Sequence, residues 1–231
     1  MVTNEAEGRK AWEASGMGRL ASAGGSAGGH LRLLATCGVL APLQFTLAWA
    51  VLGAARPGYD PRQQYVSELA ATDAPDAVPM IAAFLALGLL TLAFAVGLRR
   101  ALGGGAVALG GAALVALFGL GSIGGGLFRC DPGCGGTSPA NMAHTVSAHL
   151  GLGALVLATL VLPAHFGRDR RWAGLRAYSW LTGGIALVIF VRGFAAFGGV
   201  GLGQRLFLGT LFLWLAVVAL RLLRLAGRPD G

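Results

Sequence analysis

The sequence predicts an all-α protein: a six-helix transmembrane bundle with both termini cytoplasmic and an external loop carrying an interfacial helix after helix one. Three observations predict it. The 231 residues are 55% hydrophobic and only 12% charged, about half the charged share of an ordinary soluble domain. The apolar residues gather in six stretches, each near the roughly 20 residues needed to cross a hydrocarbon core. Those stretches are continuous and do not alternate, so their backbone polar groups find partners inside helices and not in a barrel.

In chain order, residues 1–31 mix Gly, Ala, Ser and charge with no sustained apolar face, and predict a disordered cytoplasmic tail. Nothing in them resembles the apolar segment of a cleaved signal peptide. The membrane domain is expected over residues 32–225, and residues 226–231 form a second cytoplasmic tail. Its spans are read as Leu33–Ala55, Ala77–Leu98, Ala106–Phe128, Val146–Pro163, Tyr178–Phe197 and Leu206–Leu220.

The connection from Arg56 to Asp76 opens with Arg56-Pro57-Gly58-Tyr59-Asp60-Pro61, a turn-rich entry. Residues Gln63 to Ala70 then have the polarity of a short helix at the interface, with Tyr59 and Tyr65 suited to the headgroup level. Helix three is dense in glycine. Its Gly121 and Gly125 form a small-xxx-small pair, which lets helix backbones approach closely in lipid. No strand precedes these glycines and no Lys or acid follows at the spacing of a phosphate-binding loop. Helix three is therefore expected to be central and tightly packed.

Charge fixes the expected orientation. Arg9, Lys10, Arg19, Arg32, Arg99, Arg100, Arg168, Arg170, Arg171, Arg176, Arg221, Arg224 and Arg228 lie on the side of the termini. Arg56, Arg62, Arg129, Arg192 and Arg205 lie on the other, with Asp60, Glu68, Asp73, Asp76 and Asp131. The positive-inside rule makes the first side cytoplasmic. It also accounts for the net charge of +8 without nucleic acid, which is not expected as a partner.

The residues able to do chemistry fall on the second side. Cys130 and Cys134 flank a Pro-Gly turn, where a disulfide is the expected use on an oxidising face. Two cysteines supply only half of a zinc site, so no metal and no cofactor is expected. Cys37 lies in helix one as a packing residue. Asp131 stands within the Cys130–Cys134 turn, and His144 and His149 open helix four about 140° apart by helical geometry. Arg192 sits near the end of helix five, where a charge at membrane depth costs about 2.5–3.5 kcal/mol unless paired or lining a cavity. Its expected partners are Glu68 or Asp131, unless its side chain snorkels to the interface. Gln204 and Arg205 begin helix six at the same level. Glu68, Asp131, His144 and His149 are thus the candidate catalytic groups, and Tyr65, Arg192, Gln204 and Arg205 the candidate substrate-binding ones.

Taken together, Arg56-Pro57-Gly58-Tyr59-Asp60-Pro61, Gln64-Tyr65-Val66-Ser67-Glu68-Leu69, Gly97-Leu98-Arg99-Arg100-Ala101, Phe128-x-Cys130-Asp131-Pro132 and the histidine opening helix four resemble a prokaryotic membrane family known as domain of unknown function 998. The resemblance runs from about Leu33 to Leu223. It implies six helices and a bacterial or archaeal cytoplasmic membrane, and it implies no activity. Three functions stay open on these residues. One is an enzyme using acid/base chemistry on a lipid or isoprenoid substrate, such as a proton-initiated cyclisation, a hydrolysis or a transfer. Another is a lipid or small-solute binding or transport protein; a third is a structural accessory subunit. Membrane lipids are the expected partners in each.

Overall fold

The computed structural model describes residues 28–227 with their side chains. The expected N-terminal tail falls outside that range except for residues 28–31, and so does most of the C-terminal one. Six helices are long and apolar enough to span a membrane: α1 (Gly28–Ala55), α2 (Ala77–Leu102), α3 (Ala106–Leu127), α4 (Pro139–Phe166), α5 (Ala173–Arg192) and α6 (Val200–Ala226). The described residues contain no strand.

The helices form a closed ring in which each packs against its sequence neighbours and α1 meets α6. Glycine sets how tightly they meet. A Cβ on Gly88 or Gly119 would strike the other's carbonyl across the α2–α3 seam. On the α3–α4 seam a Cβ on Gly121 would strike the Ser147 carbonyl and the Gly151 Cα. The central, tightly packed position expected for α3 follows from these contacts. The α5–α6 seam is pinned differently, by Trp214 Nε1 donating to Ser179 Oγ at 2.9 Å. Within the ring, Phe45 meets Phe84 at 4.8 Å and Phe212 at 5.9 Å between ring centroids, and Phe118 lies 6.3 Å from Phe212.

Four spans begin earlier than their apolar runs, α4 and α6 by the most. Ser138 caps α4, its Oγ accepting from Asn141 N, with Pro139 preset in the first turn. Asn141 and His144 are therefore buried helical residues. Likewise α6 starts at Val200, because Gly201 lets it press on the Pro61 and Gln64 carbonyls. At the end of α5 the expected span to Phe197 stops at Arg192. Gly193 (φ 75°) breaks the helix before a short 3-10 turn, Phe194–Phe197.

The connection after α1 departs most from expectation. Val66–Ala70 is a 3-10 helix, and all five residues are buried. It does not lie on a surface; it plugs the mouth of the ring. The polarity read as an interfacial helix instead reflects small and apolar residues fitting between α1, α2 and α6.

Candidate functional site

Guanidinium groups hold the plug in place. Arg56 Nη1 donates to the Glu68 carbonyl at 2.8 Å. Arg129 donates from Nε to the Ala70 carbonyl at 3.1 Å and from Nη2 to the Ala71 carbonyl. Arg205 Nη1 reaches the Gln64 and Gly201 carbonyls at 3.0 and 2.9 Å. Its Nη2 donates to Tyr59 Oη, and Tyr59 Oη donates to the Tyr65 carbonyl at 2.9 Å. The Arg205 guanidinium also lies over the rings of Trp49 at 4.9 Å and Tyr59 at 5.6 Å. Burial pushes the Tyr59 hydroxyl above its ordinary value, against the lowering effect of Arg205. Burial, then the Glu68 charge, does the same to Tyr65.

The two expected carboxylates serve backbone. Glu68 Oε1 accepts from Tyr65 N at 2.7 Å and its Oε2 from Gln64 Nε2 at 2.9 Å, a carboxylate at the third residue of the short helix reaching back to its cap. Asp131 accepts from Ser138 Oγ at 2.7 Å and Ser138 N at 3.1 Å. Arg192 is exposed and meets neither. It borders a recess on the outer face of α5, beside Val188, Val191 and Phe197. The expected ion pair is therefore corrected: among the described residues, ion pairs gather on Asp169, with Arg171 at 2.8 Å and His165 at 4.0 Å. Hydrogen bonds from Arg171 hold the Asp169 carboxyl below its usual range. The physical reason is competition, since both capped-end carboxylates already have N–H or O–H donors close by in sequence.

Beneath the plug lies a cavity in two parts. A small inner chamber of about 80 Å³ sits among Phe45, Phe84, Phe118 and Phe212, with Ser122 on its wall. A vestibule of about 320 Å³ is lined by Tyr65, Cys134, Thr145, His149, Phe190 and Phe194 among others. Both parts touch Ser67, His144, Ala148, Leu152 and Gln204, which form the neck between them. The exposed vestibule residues Thr145, His149 and Gly193 place its opening between α4 and α5. Exposed Val146, Leu150, Leu187 and Val188 lie on the same two helices, so the opening sits in an apolar outer surface.

His144 is the focus of the neck. It is 6% exposed, and its Nδ1 lies 3.1 Å from the Gly125 carbonyl and 2.8 Å from the Phe128 carbonyl. Carbonyl oxygens only accept, so Nδ1 carries the proton. In the neutral ring Nε2 then keeps the lone pair. His149 is exposed, with Nδ1 on the Thr145 carbonyl at 2.8 Å and its ring edge toward Phe190. Gln204 Oε1 accepts from Val66 N at 2.7 Å, which leaves its amide N–H groups for the cavity.

Cys130 and Cys134 form a disulfide. A ring nitrogen of His144 and the two sulfurs lie within 4.8 Å of one another. In the disulfide state neither sulfur is a thiolate ligand, so the three atoms make a metal-ligand set only after reduction. The structure thus brings His144, Gln204, Tyr65 and Cys134 to one cavity, with His149 at its rim and Cys130 buried behind Cys134. It leaves Glu68, Asp131, Arg192 and Arg205 outside the lining. Sequence reasoning gave little weight to Ser67 and none to Phe190 or Phe194. Their only signal was a small hydroxyl residue beside a helix start and aromatics on either side of Gly193.

Six membrane-length helices packed around a cavity define a polytopic membrane protein. A family model described as Protein of unknown function (DUF998) matches residues 39–221. The match spans well over half of the chain, and the chain belongs to that family. No curated protein and no solved structure matches it.

Proposed function

We propose that this protein lies in the cytoplasmic membrane of a prokaryote, termini inside and plug outside, and performs acid/base chemistry on a lipid or isoprenoid that enters from the bilayer. The placement of basic residues supports the orientation. The supporting observation for the chemistry is His144, a buried imidazole whose Nδ1–H is committed to two carbonyls and whose Nε2 is left for the neck. A single oriented imidazole at the junction of an open vestibule and an apolar chamber takes or gives a proton where a substrate's polar group meets its chain. The vestibule, at about 320 Å³, is at the lower end of small-molecule sites. It admits a head group or one chain segment while the remainder stays in lipid. The aromatic floor of Phe45, Phe118 and Phe212 favours a one-ended site over a transport path, which would need access from both sides.

A photoreactive isoprenoid or fatty-acid probe, incorporated in vesicles with the purified protein, tests the reading. Labelled peptides should map to the α4–α5 opening and the neck, and Leu152→Trp should reduce their labelling several-fold. Labelling spread evenly over the outer apolar surface, unchanged by Leu152→Trp, would refute an occupied cavity. His144→Gln should keep the labelling while abolishing any conversion of the natural lipid.

A further inference from the structure

The Cys130–Cys134 disulfide has surroundings that a purely structural crosslink does not use. Cys130 Sγ lies 3.7 Å from the Ser67 carbonyl, and Cys134 Sγ lies 3.4 Å from Ser67 Oγ. A disulfide has no proton to donate to that carbonyl. A Cys130 thiol does, and a Cys134 thiolate accepts from the Ser67 hydroxyl. One residue of the plug is thus placed to serve both sulfurs in their reduced state. A His144 ring nitrogen stands within 4.8 Å of both, close enough for a proton to pass between thiol and imidazole through one bridging water.

The two sulfurs are also unequal. Cys130 is 1% exposed, while Cys134 lines the vestibule. Cys134 has the one positive φ among the described non-glycine residues, +52°, the kind of sparsely populated backbone that gathers at functional sites. Nor does the fold depend on the crosslink to hold this loop. Thr72 N donates to the Cys130 carbonyl at 2.9 Å, and Asn141 and Ser138 hold Asp131. A ring spanning a sequence separation of only four residues also restrains the unfolded chain least.

We propose that Cys130 and Cys134 are a redox-active pair that exchanges two electrons and two protons with a quinone-type head group seated in the vestibule. The proposal rests on the reading of that cavity as open to molecules of the bilayer, and it names their class. Tyr65, Phe190 and Phe194 offer aromatic walls to a flat ring. The Gln204 amide supplies a donor for a ring oxygen at the neck, and the apolar surroundings of the opening suit a prenyl tail.

In the oxidising direction, the Cys134 thiol gives its proton to His144 and its sulfur adds to a ring carbon. Cys130 sulfur then attacks Cys134 sulfur. The S–S bond forms, the C–S bond breaks, and both electrons remain on the ring. The His144 proton and the Cys130 thiol proton complete the quinol. Two thiols and one quinone become one disulfide and one quinol.

The test uses the full-length protein in detergent, reduced with dithiothreitol, desalted and kept anaerobic, with a decyl-substituted benzoquinone as acceptor. Quinol absorbance and the number of maleimide-reactive thiols are followed together. The expected result is one quinol formed per chain with two thiols lost, Cys37 remaining. His144→Gln should slow the reaction on the order of 100-fold, while diamide still closes its disulfide. Leu152→Trp should slow it as well.

Oxidation no faster than that of the same reduced chain unfolded in dodecyl sulfate would overturn the proposal, and this comparison needs no variant. So would quinol formation indifferent to both substitutions. If the photoreactive lipid labels the vestibule and no quinol forms, the redox role falls and the lipid-binding cavity stands. If the lipid fails to label it and no quinol forms, both fall.

Discussion

The two flanks of α4 are built on opposite plans. Toward α3 it presents Gly151 and Ser147 to Gly121 and Gly124, and backbone rests on backbone. Toward α5 the nearest atoms a Cβ on Gly153 would meet are ring carbons of Phe190, at 3.7 Å and beyond. One flank has no room for more than the Ser147 side chain; the other is made of side chains and opens into the vestibule. The contrast shows how a single helix can be both part of a rigid wall and the frame of an entrance. It also places His144, which hydrogen-bonds to the Gly125 carbonyl of α3 and the Phe128 carbonyl just after it, on the rigid side of the cavity it serves.

The largest expected effect tests the closed flank. Gly121→Val puts branched carbons against the Ser147 carbonyl and Gly151 Cα, which no rotamer change relieves. It should cost about 3 kcal/mol or more, seen as loss of the monodisperse species when the detergent-solubilised protein is heated. Gly153→Ala should cost less than about 1 kcal/mol in the same assay. Equal responses would erase the distinction between the flanks.

Next in size is the hold on the plug. Arg205→Ala removes donors to Gln64, Gly201 and Tyr59 together with the stacking on Trp49, and should cost about 2–3 kcal/mol. Hydrogen exchange should rise over residues 61–71 and stay unchanged across the α3–α4 seam. Arg205→Lys should recover only part of the loss, since an ammonium lacks the fork that spans separate acceptors.

The smallest effect is set by pH. Burial raises the Tyr59 hydroxyl above its ordinary 10.0, so the unfolded chain releases that proton first. The associated stability is complete below about pH 10 and is lost as pH rises through the folded value. Tyr59→Phe should flatten the alkaline limb of thermal stability while lowering the neutral plateau slightly through the lost bond to the Tyr65 carbonyl. An alkaline limb of unchanged slope would mean that other groups govern it.

The six spans were legible because hydropathy measures what lipid demands of a helix. Their ends were less so where function intrudes. Asn141 and His144 keep the apolar run of α4 from starting before Val146, although the Ser138-Pro139 cap marks the helix start seven residues earlier. The arginines of the capped end were legible as unusual, but their targets were not. An ion pair was expected for Arg192 with Glu68 or Asp131, whereas Arg56, Arg129 and Arg205 bind main-chain carbonyls, which every residue possesses and no sequence motif announces. The disulfide could be read from the Cys-Asp-Pro-Gly-Cys spacing together with the oxidising face expected for that loop. That Ser67 would reach it across the mouth depends on a buried 3-10 turn, whose five residues carry no distinctive period.

Those main-chain anchors have a bearing on how the protein can change. A grip on carbonyl oxygen is blind to which amino acid bears it, so residues of the 66–70 stopper are exchangeable without slackening the arginines. One wall of the chamber can therefore be recut for a different guest while the closure above it keeps its shape.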